Sequence, residues 1–406
     1  MAVQLARSET TKAGYQGACD LIRRTSLHGQ WAEQAGPGGL PVFAGEFWTA
    51  GQRKGHSLHE VSYRACFKPQ LPEYFIERLT KPGDVVFDPF MGRGTTLIQA
   101  ALMGRRPAGN DINPLSVMLA RPRVNPPSLA AIEQRLGQIP WDSAADLDEE
   151  LLTFYHSDTL AEISGLRAYL IERDSSGELD AVDDWIRMVA INRLTGHSSG
   201  FFSVYSMPPN QAVSVAAQRK INAKRNQTPP RRDVAAIILK KSKTLMKDAP
   251  PRDMPEGRYF VGAANDVAGL ADASVDLVVT SPPFLDVVQY AADNWLRCWF
   301  AGLDASVIDI SMHSKPAQWT AFVYGVLIEL GRVVKSGGHV AFEVGEVRNG
   351  RVRLEEQVLE AMAGTPFDAE CLMINQQVFT KTANCWGIDN NAKGTNSNRI
   401  VLMRRR

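Results

Sequence analysis

Short apolar runs rich in β-branched residues alternate with amphipathic stretches along most of this chain of 406 residues. Apolar runs bounded by turn residues are typical of buried strands, and apolar positions three and four residues apart are typical of helices. Their alternation predicts an α/β fold with a mixed sheet of seven strands, the last two forming an antiparallel pair. The predicted strands are 84–87, 107–110, 258–261, 275–280, 339–344, 370–379 and 399–404.

Two parts of the chain do not follow this pattern. Residues 1–60 show weak periodicity and contain a Gly/Pro-rich loop at 35–41, so we expect an extension packed on the main domain. Residues 121–252 are inserted after the second predicted strand, where a short helix would suffice, and their apolar spacing predicts a mainly helical insert. The main α/β domain would then comprise 61–120 and 253–406.

The first predicted strand runs into a glycine-rich turn at 88–96, Asp-Pro-Phe-Met-Gly-Arg-Gly-Thr-Thr, and then into a helix. This arrangement is the first unit of a nucleotide-binding α/β domain, because glycines let the backbone approach a ligand and the helix N-terminus offers free N–H groups. The turn lacks the Gly-Lys-Ser/Thr of a P-loop, and Asp88 would repel a pyrophosphate. Asp111 follows the second strand, 23 residues after Asp88, where a carboxylate binds ribose hydroxyls in such domains.

These charges favour a cationic or zwitterionic nucleoside over a dinucleotide. S-adenosylmethionine has the required groups: Asp88 would favour its amino group and sulfonium charge, and Thr95 would donate to its carboxylate. We therefore expect a site for S-adenosylmethionine at the first strand–helix turn.

A second polar corner, Thr280-Ser281-Pro282-Pro283-Phe284, ends the apolar run 275–280. Both prolines lack N–H donors, so the Ser281 hydroxyl and nearby carbonyls point outward as hydrogen-bond acceptors for an amino group. Phe284 adds a flat apolar surface suited to stacking on a planar base. Taken alone, such a sequence is more often a plain turn.

Together, the segments 88–96 and 280–284 resemble the cofactor and catalytic motifs of the amino-methylating DNA methyltransferases, which modify cytosine-N4 or adenine-N6. Three further segments resemble the pre-cofactor, ribose-binding and adenine-contacting segments of that family: 68–72, 110–114 and 265–266. Residues 329–338 resemble its helix-to-strand junction. The resemblance implies a Rossmann-like S-adenosylmethionine-dependent methyltransferase fold. It also implies cofactor-binding roles for Lys68, Asp88, Pro89, Phe90, Gly92, Gly94, Thr95, Thr96, Asp111, Asn113 and Asp266.

The resemblance assigns the catalytic role to Ser281, Pro282, Pro283 and Phe284. Ser281 and a main-chain carbonyl, for which that of Pro282 is the candidate, would hold the amine of a flipped base while Phe284 stacks on the base. Serine at this position favours cytosine-N4, with adenine-N6 as the alternative. Carbon-5 methylation is disfavoured because no cysteine follows a proline. An RNA or protein amide methyltransferase and a catalytically idle binding module remain other readings.

Double-stranded DNA is the expected partner, and a cognate restriction endonuclease is a second partner that the resemblance leaves open. Because little sequence follows the last strand, we expect the insert to read the target. Between Gln218 and Lys247 there are ten basic residues against one acid, although a solvated helical face would also explain such a run. An aromatic loop at 200–210 either packs the insert or touches DNA. The candidate nucleic-acid contacts are Arg219, Lys220, Lys224, Arg225, Arg231, Arg232, Asn384 and Trp386.

Composition narrows the class of protein further. The net charge is +1, and no run approaches 18 uncharged apolar residues, which disfavours membrane insertion. Five widely spaced cysteines fit reduced thiols in a cytoplasmic protein. His56 and His59 lack a second ligand pair at metal spacing, so we expect no metal site. Trp295 and Trp299, one helical turn apart, are expected to pack in a core rather than to contact a base.

Overall fold

A computed structural model describes residues 17–25, 31–48, 55–63, 66–141, 147–207, 212–251, 253–285, 290–308, 313–347, 352–376 and 397–406. Asn384 and Trp386, two of the expected nucleic-acid contacts, lie outside these described residues.

The described strands form one mixed sheet of nine and a separate hairpin of two. The order in the large sheet is β1-β2-β10-β11-β7-β6-β3-β4-β5. All seven expected strands are present, and β10 and β11 are antiparallel as predicted. The strands are β1 Trp31–Ala35, β2 Pro41–Gly45, β3 Val85–Asp88, β4 Arg106–Asp111, β5 Arg258–Val261, β6 Val275–Thr280, β7 Val334–Val344, β8 Glu346–Val347, β9 Val352–Arg353, β10 Phe367–Gln376 and β11 Ser397–Arg405.

Twelve α-helices lie in the described residues, with short 3₁₀ turns at Pro37–Gly39, Ser57–His59 and Glu149–Thr153. They are α1 Ala18–Thr25, α2 Gln70–Leu79, α3 Thr95–Leu102, α4 Leu115–Val124, α5 Leu129–Leu136, α6 Ser157–Ser175, α7 Ala181–Ile191, α8 Val215–Arg225, α9 Val234–Leu245, α10 Tyr290–Ala301, α11 Pro316–Val333 and α12 Leu354–Ala361. None of these helices is long and apolar enough to span a bilayer.

The N-terminal region adds two strands to the sheet that the sequence pattern does not predict. β2 pairs in parallel with β10, and β1 pairs antiparallel with β2. β1 has mostly exposed residues and no apolar alternation, so it carries no strand signal of its own. The expected extension is therefore packed on the main domain by backbone pairing.

The centre of the sheet is parallel, which places several strand ends together. β3 pairs in parallel with β4 and β6, and β6 pairs in parallel with β7. The carboxyl ends of these strands therefore share one edge, and the start of the antiparallel strand β11 reaches the same edge. Ligands of open α/β sheets bind at such an edge.

The described part of 121–252 is mainly helical, and its apolar side chains share one core with α3, α4 and α10. Trp185 and Phe202, both fully buried, lie in this core, so the aromatic loop packs the insert. Trp295 and Trp299 also pack against it, as expected. The predicted boundary at residue 121 falls inside α4, and Arg121 on that helix forms an ion pair with Asp184 of α7.

Candidate active site

One cavity at the carboxyl edge of the sheet contains residues from both sequence motifs. Asp88, Gly92 and Thr95 line it from the glycine-rich turn, and Ser281 and Pro283 line it from the proline corner. The motifs are almost two hundred residues apart in the chain, and the parallel pairing of β3 with β6 brings them together. The cavity is therefore the candidate active site.

Asp88 is the buried acid of this cavity, at the end of β3. Its side chain is 1% exposed, and its Oδ1 atom accepts hydrogen bonds from the Thr280 hydroxyl at 2.6 Å and the Phe90 N–H at 3.0 Å. Burial raises the pKa of Asp88 to about 7, although these two donors oppose the shift. A cationic ligand group beside Asp88 would restore its ionised form.

The second acid, Asp111, holds the glycine-rich turn in place. Its Oδ2 atom accepts from the Gly92 N–H at 2.9 Å and its Oδ1 atom from the Asn113 N–H at 2.9 Å. Burial raises its pKa. Gly92 has a φ of 49°, which favours glycine, and both Gly92 and Asp111 line the cavity.

Several predicted cofactor residues shape the site from behind instead of lining the cavity. Gly94 has a φ of 80°, and a Cβ atom there would lie 2.6 Å from the Ala120 Cβ. The Thr96 hydroxyl donates to the Val279 carbonyl at 3.0 Å, which ties α3 to β6. Asn113 accepts from the Leu115 N–H at the start of α4.

At the proline corner, the structure adds a residue that the sequence analysis missed. Glu343 of β7 is 6% exposed and is hydrogen-bonded to the Ser281 side chain and to Asn398, whose Nδ2 atom donates to Glu343 Oε1 at 2.9 Å. Burial raises the pKa of Glu343. A lone acid in the apolar run His339–Val344 was the available signal, because ionisable groups are rarely buried without a role.

The other corner residues are held by the core. The fully buried Trp319 of α11 donates from its indole N–H to the Pro283 carbonyl at 2.8 Å. Pro282 is buried, and it does not line the cavity. The Phe284 ring is half-buried and packs so closely on Gly345 that a Cβ atom there would lie 2.8 Å from it.

The remaining cavity wall is partly aromatic. The ring centroids of Phe90 and Phe322 are 5.8 Å apart. Phe90 is a predicted cofactor-binding residue, whereas the sequence analysis did not identify Phe322. Both line the cavity, as does Pro89; Tyr63, Phe67 and the segment 262–265 complete the wall. Asp266 is exposed and lies outside the lining, whereas its neighbour Asn265 is part of it. Lys68 is also outside the lining, and burial lowers its pKa.

The expected nucleic-acid residues fall into two groups. Helix α8 exposes Arg219, Lys220, Lys224 and Arg225 and contains no acid. In contrast, Arg231 lies 3.5 Å from Asp158 and 4.0 Å from Glu162, and Arg232 is half-buried.

Helix α8 is attached to the helix that follows the proline corner. The Ala212 N–H donates to the Asp293 carbonyl at 3.2 Å, and the Trp295 indole donates to the Val213 carbonyl at 3.3 Å. Both acceptor and donor lie on α10. These two bonds hold the start of α8 against α10.

The chemistry of the cavity fits S-adenosylmethionine. Asp88 could hold its cationic groups, Asp111 its ribose hydroxyls and the Phe90–Phe322 wall its adenine. Within the part of the chain that the structure describes, no group of three or more His, Cys, Asp or Glu side chains is placed to hold a metal ion.

Comparison with known proteins agrees with this chemistry. A sequence model of a family described as DNA methylase matches residues 30–121, which include the glycine-rich turn. The type II methyltransferase M.MjaII of Methanocaldococcus jannaschii is 46% identical over 65 residues, which make up 16% of this chain and 12% of the relative. The type II methyltransferase M.MvaI of Kocuria varians is 29% identical over 128 residues, or 31% of this chain and 25% of the relative.

These matches span at most a quarter of the length of either relative. Among solved structures, the TrmN protein of Thermus thermophilus aligns over 84% of this chain and 50% of its own, with a TM-score of 0.33 and 12% identity, too low to support an argument. The family match and the type II relatives, together with the sheet and cavity described above, lead to one conclusion: over part of its length this chain is similar to the amino-methylating DNA methyltransferases.

Proposed function

We propose that this protein methylates the exocyclic N4 amine of a cytosine that has been flipped out of double-stranded DNA. The observation that carries the proposal is that Asp88 and Ser281 line one cavity while Ser281 is bonded to a buried carboxyl group. A site for a cationic methyl donor and an acceptor for an amine hydrogen are thus adjacent. S-adenosylmethionine would supply an electrophilic methyl group there.

The cofactor side of the cavity positions the donor. Asp88 would hold the cationic end of the cofactor, and Asp111, which accepts from the Gly92 N–H, would bind the ribose hydroxyls. Phe90 and Phe322, whose rings lie together in the cavity wall, would pack against the adenine, and Asn265 of the same lining would contact its edge. Holding donor and acceptor in line contributes roughly 7–11 kcal/mol to lowering such a barrier.

The Ser281 side holds the amine. With the Ser281 hydroxyl hydrogen directed to Glu343, the lone pairs of Oγ are free to accept an N–H from the base. The Pro282 carbonyl is the candidate second acceptor that the resemblance implies, and the neighbouring Pro283 carbonyl accepts from Trp319. Two acceptors draw the conjugated amine toward tetrahedral geometry and expose its lone pair.

Methylation of an NH₂ group releases one proton, and the corner offers a route for it. The proton passes from the amine nitrogen to Ser281 Oγ while the serine hydrogen passes to Glu343. The raised pKa of Glu343 makes it a better proton acceptor than an exposed glutamate. The Asn398 side-chain amide holds the Glu343 carboxyl group in place by donating from Nδ2 to Oε1 at 2.9 Å.

Cytosine is favoured over adenine because serine offers one small contact to the amine. An aspartate at position 281 would also pair with the adenine edge. DNA would contact the exposed cations of α8, namely Arg219, Lys220, Lys224 and Arg225, since none of them shares that helix with an acid.

Mass spectrometry of nucleosides tests the proposal. DNA from a methylation-free host expressing the chain should contain N4-methylcytosine, and the same host carrying Ser281→Ala should not. N6-methyladenine instead would reverse the base assignment and keep the mechanism. Tritium transfer from labelled cofactor to purified RNA but not to DNA would overturn the proposed substrate.

A further inference from the structure

Two arginines are buried at the glycine-rich turn: Arg93 belongs to the turn, and Arg123 of α4 donates to the Arg93 carbonyl. Arg93 is 3% exposed and Arg123 is fully buried. Their hydrogen bonds to described residues go to carbonyl and hydroxyl oxygens, and no described carboxylate forms an ion pair with either. Burying two like charges without a counter-ion is costly, so a nearby anion would be strongly favoured.

Neighbouring groups respond to this positive charge. Burial, followed by the charges of Arg123 and Arg93, lowers the pKa of His59 to about 3, so it stays neutral. Burial and then the charge of Arg93 lower the pKa of Arg123 to about 9. The pKa of Lys68 is lowered by burial and by Arg93 as well. The region around the turn is therefore electropositive.

A chain of hydrogen bonds connects the two arginines to the cavity wall. Arg123 donates to the Arg93 carbonyl, and Arg93 Nε donates to the Thr95 hydroxyl oxygen at 3.1 Å. Because that oxygen accepts from a guanidinium, the Thr95 hydrogen is free to be donated into the cavity, which Thr95 lines. Arg93 Nη1 and Nη2 also hold the Val61 and Phe67 carbonyls, at 2.8 and 3.4 Å.

We infer that Arg93, supported by Arg123 and acting through Thr95, makes the cavity selective for a ligand that carries a carboxylate beside its cationic groups. The inference rests on the proposed function, in which that ligand is the S-adenosylmethionine methionine moiety. Asp88 and the Arg93–Thr95 pair then give the cavity opposite charges that match a zwitterion. Arg93 is a positioning residue, and Thr95 makes the contact.

The test compares two cofactor analogues by calorimetry, so it does not depend on turnover. S-adenosylhomocysteine carries the amine and the carboxylate, whereas S-adenosyl-3-thiopropylamine carries the amine alone. Wild-type protein should prefer the first by about ten- to a hundredfold, the range for a hydrogen bond to a charged group. Arg93→Gln and Thr95→Val should each bring this preference close to one.

Arg105→Gln is the matched control. Arg105 is a buried arginine at the other end of α3, bonded in the same manner to the Thr80 hydroxyl at 3.0 Å and to the Met103 and Thr80 carbonyls. Arg105→Gln should leave the preference for S-adenosylhomocysteine over the amine-only analogue unchanged, even if this substitution lowers the melting temperature. Arg93→Lys, which keeps the charge, should retain part of the preference.

The outcomes separate this inference from the proposed function. Equal wild-type affinity for the two analogues overturns the inference without any variant. A preference that survives Arg93→Gln, or that Arg105→Gln reduces equally, also overturns it. If neither analogue binds the wild-type protein, the proposed function itself fails.

Discussion

The cavity at the sheet edge and the basic helix α8 use polar residues in opposite ways. Asp88, which lines the cavity, and Glu343, which is bonded to Ser281 of the lining, are buried, and each is held by hydrogen bonds. On α8, the cations are exposed, and the Arg225 guanidinium lies over the Tyr205 ring, 3.8 Å from its centroid. Removing one atom should therefore matter far more in the cavity than on the helix.

The largest effect is expected at Ser281. Ser281→Ala removes the hydroxyl that we propose links the base amine to Glu343, so kcat should fall by about a thousandfold, within the range for lost acid–base catalysis. Glu343→Gln should lower kcat by a similar order, because it removes the proton acceptor. S-adenosylhomocysteine affinity, measured by calorimetry, should not change in either variant; parallel loss of that affinity would indicate a collapsed cavity instead.

Asp88 should govern cofactor affinity, and its effect should depend on pH. Below its pKa of about 7 the empty protein holds Asp88 protonated, and a cationic ligand must displace that proton. Affinity for S-adenosylhomocysteine should therefore rise between pH 5.5 and 7.5, and calorimetry in two buffers should detect proton release. Asp88→Asn should weaken binding roughly tenfold at pH 7.5 and remove this pH dependence.

The Asp88 carboxyl group should also affect folding stability, which should fall as pH rises, whereas cofactor affinity should rise. A folded-state pKa above the unfolded value means that the protonated form is favoured in the fold, so its contribution to stability is lost as pH rises through about 7. The melting temperature of Asp88→Asn should consequently exceed that of the wild type at pH 8 and approach it near pH 5. Equal differences at both pH values would contradict the raised pKa.

Trp319 should have a smaller effect on the cavity side. Trp319→Phe removes the donor to the Pro283 carbonyl and keeps most of the packing, so kcat should fall about five- to tenfold while cofactor affinity stays constant. Trp141→Phe is the control, since the Trp141 indole bonds the Leu136 carbonyl at 3.1 Å within the insert. If both variants reduced kcat equally, the effect would be global.

The smallest effects are expected on α8. Arg219→Gln with Lys220→Gln should weaken DNA binding several-fold and reduce the slope of log affinity against log salt by about 2, without changing kcat at saturating DNA. Arg231→Gln removes a cation that already faces Asp158 and Glu162, so its salt slope should not change. A larger slope change for Arg231→Gln would assign the DNA face to the other end of this basic segment.

Sequence reasoning succeeds where one local signal decides the structure. The seven strands of the predicted sheet and the joining of Asp88 with Ser281 follow from apolar runs and strand-end chemistry. β1 was missed because backbone pairing to β2, rather than side-chain pattern, makes it a strand. Glu343 was missed because its role depends on register: Glu343 pairs with Ile400, in the strand that also carries Asn398. Phe322 was missed for a related reason, since only the packing of α11 brings it to Phe90.

The hydrogen bond of 2.6 Å from the Thr280 hydroxyl to Asp88 connects the two motifs of the cavity, so binding at one motif should affect binding at the other. Thr280 is the residue before Ser281, so Asp88, the proposed partner of the cofactor, is also bonded to the start of the corner where we propose that the base binds. If cofactor binding changes the affinity for the base by some factor, base binding must change the affinity for the cofactor by the same factor. The coupling free energy of the ternary complex is therefore the same whether the cofactor or the DNA binds first.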